Sequence, residues 1–154
     1  MTCRRQHGSI INTAEDLAMT DLSLAAQARS PKAFYTIDAA ISGILGIALL
    51  AGAGPIADLA GMPAAAGFLM AVGAFLLPWA LFNYAIGTAT GPAWSAILAN
   101  IAGDAAWVAI SILLLATHWT ALNGLGQTLL AGQALFVAIV FLTKLRGAPS
   151  LRRS

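Results

Sequence analysis

Asp104 asks for the most chemical explanation in this chain, because it lies in a long apolar stretch with no lysine or arginine between Lys32 and Lys144. A charge held at the centre of a bilayer costs about 2.5 to 3.5 kcal/mol. An acid kept there either carries its proton or meets a proton or cation that neutralises it. At 100° per residue, Asn100, Asp104, Trp107 and Ser111 fall in a strip about 60° wide, one polar and aromatic helix face that has to point into protein. Gln133, on the next apolar segment, is expected at the same depth, where its amide can donate to the Asp104 carboxyl. Gln127 lies about 120° further round that helix and cannot share the same face.

Two kinds of chemistry fit this group. In the first, Asn100, Asp104 and Gln133 form a neutral polar clamp that fixes helix register, with Asp104 protonated. In the second, Asp104 binds and releases a proton in a small transporter, and the π face of Trp107 walls a site for an organic cation. The basic-free stretch offers no partner cation to Asp104, which suits either a neutral acid or a cation from outside the chain.

A shallower group consists of Asp38, Asn83 and Tyr84. Asp38 is placed one turn into the first apolar segment, where the helix N-terminus favours an acid, and Asn83 and Tyr84 are expected beside it at an inner mouth. Asp58 belongs to a solvated loop. His118 reads as an interfacial polar residue beside Trp119.

The elements that must position these residues follow from composition. Of 154 residues, 59% are hydrophobic and only 9% charged, too few charges to coat a soluble globule, so lipid has to cover the remainder. Hydropathy divides residues 34–143 into four segments of about 20 or more residues, enough to cross a ~30 Å hydrocarbon layer. They span 34–56, 64–86, 92–117 and 121–142, the first ending at Gly54-Pro55, the second following Gly61-Met62-Pro63 and the third opening at Gly91-Pro92. Short connections make neighbours antiparallel, so the expected fold is an all-α, up-down-up-down bundle of four transmembrane helices.

All eight basic residues lie outside residues 33–143, which predicts that both termini are cytoplasmic. Tyr35, Tyr84 and Trp94 are expected at the inner membrane boundary and Trp119 at the outer one. Residues 1–33 read as a cytoplasmic tail, disordered or partly an amphipathic helix, and residues 144–154 as a basic cytoplasmic tail. In the second span Gly67, Ala71, Ala74 and Pro78 form a small-residue stripe for helix contact, and Phe68, Phe75 and Phe82 a bulky stripe for lipid. Ser42-x-x-x-Gly46 marks a contact face on the first span, and Pro78 is expected to kink the second.

Catalytic constellations are missing. Cys3 is the one cysteine, which removes thiol–disulfide chemistry and cysteine-only metal sites. No Ser/His/Asp grouping, HExxH, phosphate-binding loop or pair of histidines within a span is present. The chain therefore reads as non-enzymatic, with no cofactor and no metal. No basic groove runs through it, so nucleic acid is not an expected partner.

Leu77-Pro78-Trp79 in the second span, Ala99-Asn100, Trp107 and Leu113-Leu114-Leu115 in the third, and a Gly-rich first and Gly/Gln/Ala-rich fourth span resemble small four-span bacterial inner-membrane proteins, over residues ~35–146. The resemblance implies a multi-pass protein of the cytoplasmic membrane and brings no substrate with it. The leading expectation is an accessory membrane protein whose partners are the lipid bilayer and a second copy or another membrane protein. The alternative is a proton-coupled carrier or channel for a small solute, cationic or uncharged, that uses Asp104.

Overall fold

The computed structural model of the chain describes residues 30–152 and contains four long helices joined by short turns: α1 (Pro31–Leu59), α2 (Ala66–Thr88), α3 (Trp94–His118) and α4 (Gly124–Leu151). One 3-10 turn, Pro63–Ala65, leads into α2. All four are long and apolar enough to cross a membrane. The expectations for the tail before residue 30 lie outside the described residues.

Each helix begins or breaks for a local reason. Ser30 caps α1, its Oγ accepting from Lys32 N at 3.4 Å, and Pro31 sits in the first turn, where an N–H has no helical partner. Instead of ending at Gly54-Pro55, α1 runs on to Leu59. Pro55 cannot donate to the carbonyl one turn back, and the backbone absorbs the break at Gly52, with φ −126° and ψ 18°. The turn out of α1 needs φ +79° at Gly61, a left-handed conformation suited to glycine. Asn123 fastens this turn to α4: Nδ2 donates to Leu59 O at 2.8 Å, and Oδ1 caps α4 by accepting from Gly126 N at 2.8 Å.

The buried faces have helical spacing. On α1 they are Tyr35, Asp38, Ser42, Gly46, Leu49, Ala53 and Ala57. On α3 they are Ile97, Asn100, Ile101, Asp104 and Ser111. α1 and α2 make the tightest pair, with Gly46 against Gly73: a Cβ at Gly73 would stand 2.9 Å from Gly46 O. The contact face of α2 is therefore Gly73, Leu76, Asn83 and Ile86, not the expected stripe, since Ala71, Ala74 and Pro78 are exposed. Among the phenylalanines, Phe68 faces outward as expected, Phe75 is half-exposed with its ring stacked on Trp79 and Trp107, and Phe82 packs on the core. Tyr35 likewise lies inside the core rather than at a membrane boundary.

α1 packs on α2 and α4, and α4 on α3, whereas α2 and α3 are the most loosely packed of the neighbouring pairs. Aromatic side chains fill that seam. The Trp79 ring lies so near the α3 backbone that a Cβ on Gly103 would collide with it. The start of α1 and the end of α4 share one end of the bundle, where a Cβ on Gly147 would meet Pro31 at 2.8 Å. At that end Lys32 Nζ donates to Ala89 O at 2.8 Å and Thr90 O at 3.2 Å, satisfying carbonyls past the C-terminus of α2. Arg152 lies over the Trp94 ring, 5.4 Å from its centroid.

Candidate functional site

Lys144 organises the polar interior. The fourth helix does not stop near Leu142 but continues to Leu151, and this carries Lys144 into the bundle with 1% of its surface exposed. Its ammonium donates to Asp38 Oδ2 at 2.6 Å and to Asn83 Oδ1, Asn100 Oδ1 and Asp104 Oδ2 at 2.8 Å each. All four helices thus meet at one nitrogen. The expectation that Asp104 has no cation to pair with is overturned: its partner is Lys144, which the basic-tail reading had placed outside the membrane.

The surrounding bonds complete a closed network. Asp38 Oδ1 accepts from Ser42 Oγ at 3.1 Å, one turn along α1. Asn100 Nδ2 donates to Asn83 Oδ1 at 3.2 Å, and Asn83 Nδ2 donates to Trp79 O at 3.1 Å. The Tyr35 ring lies beneath the ammonium, its centroid 4.9 Å from Nζ, and its buried hydroxyl has no hydrogen-bond partner among the described residues. Asp38 lies roughly 10 Å into α1 and Asp104 roughly 15 Å into α3.

Two sequence-derived groups, Asn100 with Asp104 and Asp38 with Asn83, are therefore one site. Tyr84 does not join it, being 58% exposed on the outer face of α2. Gln133 does not reach Asp104 either. Its Nε2 donates to Ser111 Oγ at 2.8 Å, and its Oε1 accepts from Trp107 Nε1 at 2.8 Å, so Trp107, Ser111 and Gln133 form a second, uncharged network. Gln127 turns elsewhere, donating to Trp119 O at 2.9 Å near the end of α3.

The sequence carried one signal for Lys144. Eleven residues separate Gln133 from Lys144, and eleven separate Asn100 from Ser111. Eleven residues is three turns plus about 20°, so each pair lies on one helix face. In an antiparallel pair, a register that seats Gln133 on Ser111 also seats Lys144 on Asn100.

Electrostatics set what the cluster can do. At ~2.7 Å and an effective dielectric of 20, each ammonium–carboxylate contact is worth about 6 kcal/mol of attraction before desolvation, which costs several kcal/mol per buried ion. One lysine can offset two such contacts but cannot neutralise two carboxylates. Fully ionised, Asp38, Asp104 and Lys144 carry a net charge of −1 in a low-dielectric interior. The ammonium has three N–H groups for four oxygens, so one contact is shared. The Asp104 Oδ1 oxygen takes no hydrogen bond from the described residues.

Next to the cluster is a cavity of about 260 Å³ whose lining includes Asp38, Ser42 and Asp104 on the polar side. Phe75, Trp79 and Trp107 wall it, with Phe75 stacked on both, centroids 5.8 Å from Trp79 and 6.2 Å from Trp107. It lies against the loosely closed α2–α3 seam.

No family model, curated protein or solved structure matches the chain. The four apolar helices make it a small multi-pass integral membrane protein, and its functional reading rests on its own residues.

Proposed function

We propose that the protein is a proton-linked carrier of the bacterial inner membrane, both of its ends cytoplasmic, and that the Asp38–Lys144–Asp104 cluster is its proton-binding site. The observation that carries this reading is one ammonium shared between two carboxylates, 2.6 Å and 2.8 Å away, inside apolar helices. Three ionisable side chains at such depth are costly to retain for structure alone, and hydrophobic residues of similar volume often replace buried ion pairs with no loss of stability. A net charge of −1 leaves the cluster one positive charge short, which a proton supplies. The topology is supported by Lys32, Arg146 and Arg152 at one end of the bundle.

Carbonyl-stretch infrared difference spectroscopy on the reconstituted protein tests the reading. The expected result is a protonated-carboxyl band that is lost as pH rises across roughly pH 5 to 9 and is changed by Asp104→Asn or Asp38→Asn. A carboxyl population that never changes over that range overturns the carrier reading and leaves a fixed ionic clamp in a non-catalytic accessory membrane protein.

A further inference from the structure

Resting on that carrier reading, we infer that the cavity beside the cluster is the substrate site and that it takes a compact organic ammonium ion, with Asp104 as its counter-charge and Phe75, Trp79 and Trp107 as its wall. Three independent features converge there. The first is an acceptor: Asp104 is 98% buried and lines the cavity, and among the described residues only its Oδ2 is engaged, by Lys144. Its Oδ1 remains to receive an N–H⁺ donor.

The second feature is the wall. Aromatic rings present negative π faces to a cation, an attraction of about 2 kcal/mol or more once water is excluded. Their positions are fixed from within: Trp107 Nε1 is tied to Gln133, and the Trp79 ring occupies the space that a Cβ on Gly103 would take.

Volume is the third. About 260 Å³ is room for roughly eight waters and falls just below the roughly 300–1,000 Å³ of drug-sized pockets, so the occupant is small. A bare divalent ion does not fit this lining, since such ions take six or more oxygen ligands and most of the wall here is carbon. An anion meets a site whose fixed charges sum to −1.

The charged groups facing Asp104 are Asp38 from α1 and Lys144 from α4, with Asn83 of α2 and Tyr35 of α1 completing the shell around that lysine. A ligand cation makes the sum neutral, as a proton does, so the two compete for one negative charge. That competition would couple release of a proton to capture of the amine.

The test uses the full chain in phosphatidylcholine nanodiscs, with phenethylammonium as probe and the uncharged 2-phenylethanol as its isostere. Tryptophan emission and the carboxyl infrared band are read together. The expected result is a saturable emission change with the amine, at least about tenfold weaker with the alcohol, and loss of the protonated-carboxyl band as the amine binds. Asp104→Asn should weaken the amine response about tenfold; should that variant not fold, the amine–alcohol comparison on the native chain decides alone. Equal responses to both probes, or none to either, overturn the proposal. A carboxyl band that titrates with pH but ignores the amine overturns the ligand while the proton site stands. Amine binding with no pH-dependent carboxyl overturns proton coupling but leaves the cation site.

Discussion

Lys144 donates to Asn100 Oδ1 at 2.8 Å in the same antiparallel register that seats Gln133 on Ser111, also at 2.8 Å. The polar seam between α3 and α4 is thus ionic towards the chain termini and neutral about 16 Å further along. The two halves differ in what they cost to bury, so they should differ in how they respond to substitution.

Lys144→Met removes the one buried cation among the described residues and leaves Asp38 and Asp104 facing each other. The expected cost is about 3–5 kcal/mol, read from thermal unfolding in detergent. Adding Asp104→Asn to the same chain should recover about 1–3 kcal/mol, because the two sites are coupled through a direct contact. Strictly additive losses would show that the pair does not interact.

Gln133→Leu breaks only uncharged bonds to Trp107 and Ser111. Interhelical hydrogen bonds of this kind in membrane proteins average about 0.6 kcal/mol and reach about 1.7. The same unfolding assay should therefore show a loss several times smaller than for Lys144→Met. Equal losses would argue against an ionic centre.

Glycines should divide by what a methyl group meets. Gly73→Ala drives a Cβ to within 2.9 Å of Gly46 O and 3.0 Å of Leu50 N, backbone atoms that move only if α1 and α2 separate. A loss of about 1–3 kcal/mol is expected. Gly132→Ala meets nothing within 4 Å and should change stability by less than about 0.5 kcal/mol, or raise it slightly through helix propensity. Comparable losses at both positions would refute the α1–α2 packing.

Asn123→Ala removes the cap of α4 and the bond to Leu59 O in one change. A cost of about 1–2 kcal/mol is expected, and Asn123→Ser should retain the capping part of it. Protease cleavage near residue 61 offers a second readout, since the turn out of α1 loses its tie to α4.

Four spans were legible because hydropathy over 20 residues is a strong signal, and Gly61-Met62-Pro63 and Gly91-Pro92 mark turns, whereas Gly54-Pro55 lies inside α1. The inward face of α3 was legible too, since Asn100, Asp104 and Ser111 share one strip and all three are buried. The identity of the partners was not. Lys144 follows the apolar run and reads as a flanking base, because a terminal lysine is free to extend towards water; the decisive fact, that α4 continues to Leu151 with this face inward, is tertiary. The contact face of α2 was misassigned for a similar reason. In a span this rich in Ala and Gly, several small-residue stripes exist, and only the position of Gly46 selects Gly73. Tyr35 looked like a boundary aromatic until the lysine above it gave it a place in the core.

The shared ammonium can be observed directly, because the chain has only two lysines, Lys32 and Lys144. Nitrogen-15 lysine labelling of the reconstituted protein should give two side-chain signals. The expected result is that one of them, from Lys144, exchanges slowly with water and shifts in both Asp38→Asn and Asp104→Asn, while the Lys32 signal responds to neither. Two fast-exchanging ammonium signals, unmoved by either substitution, would contradict the buried three-charge cluster and the proton and cation site built on it.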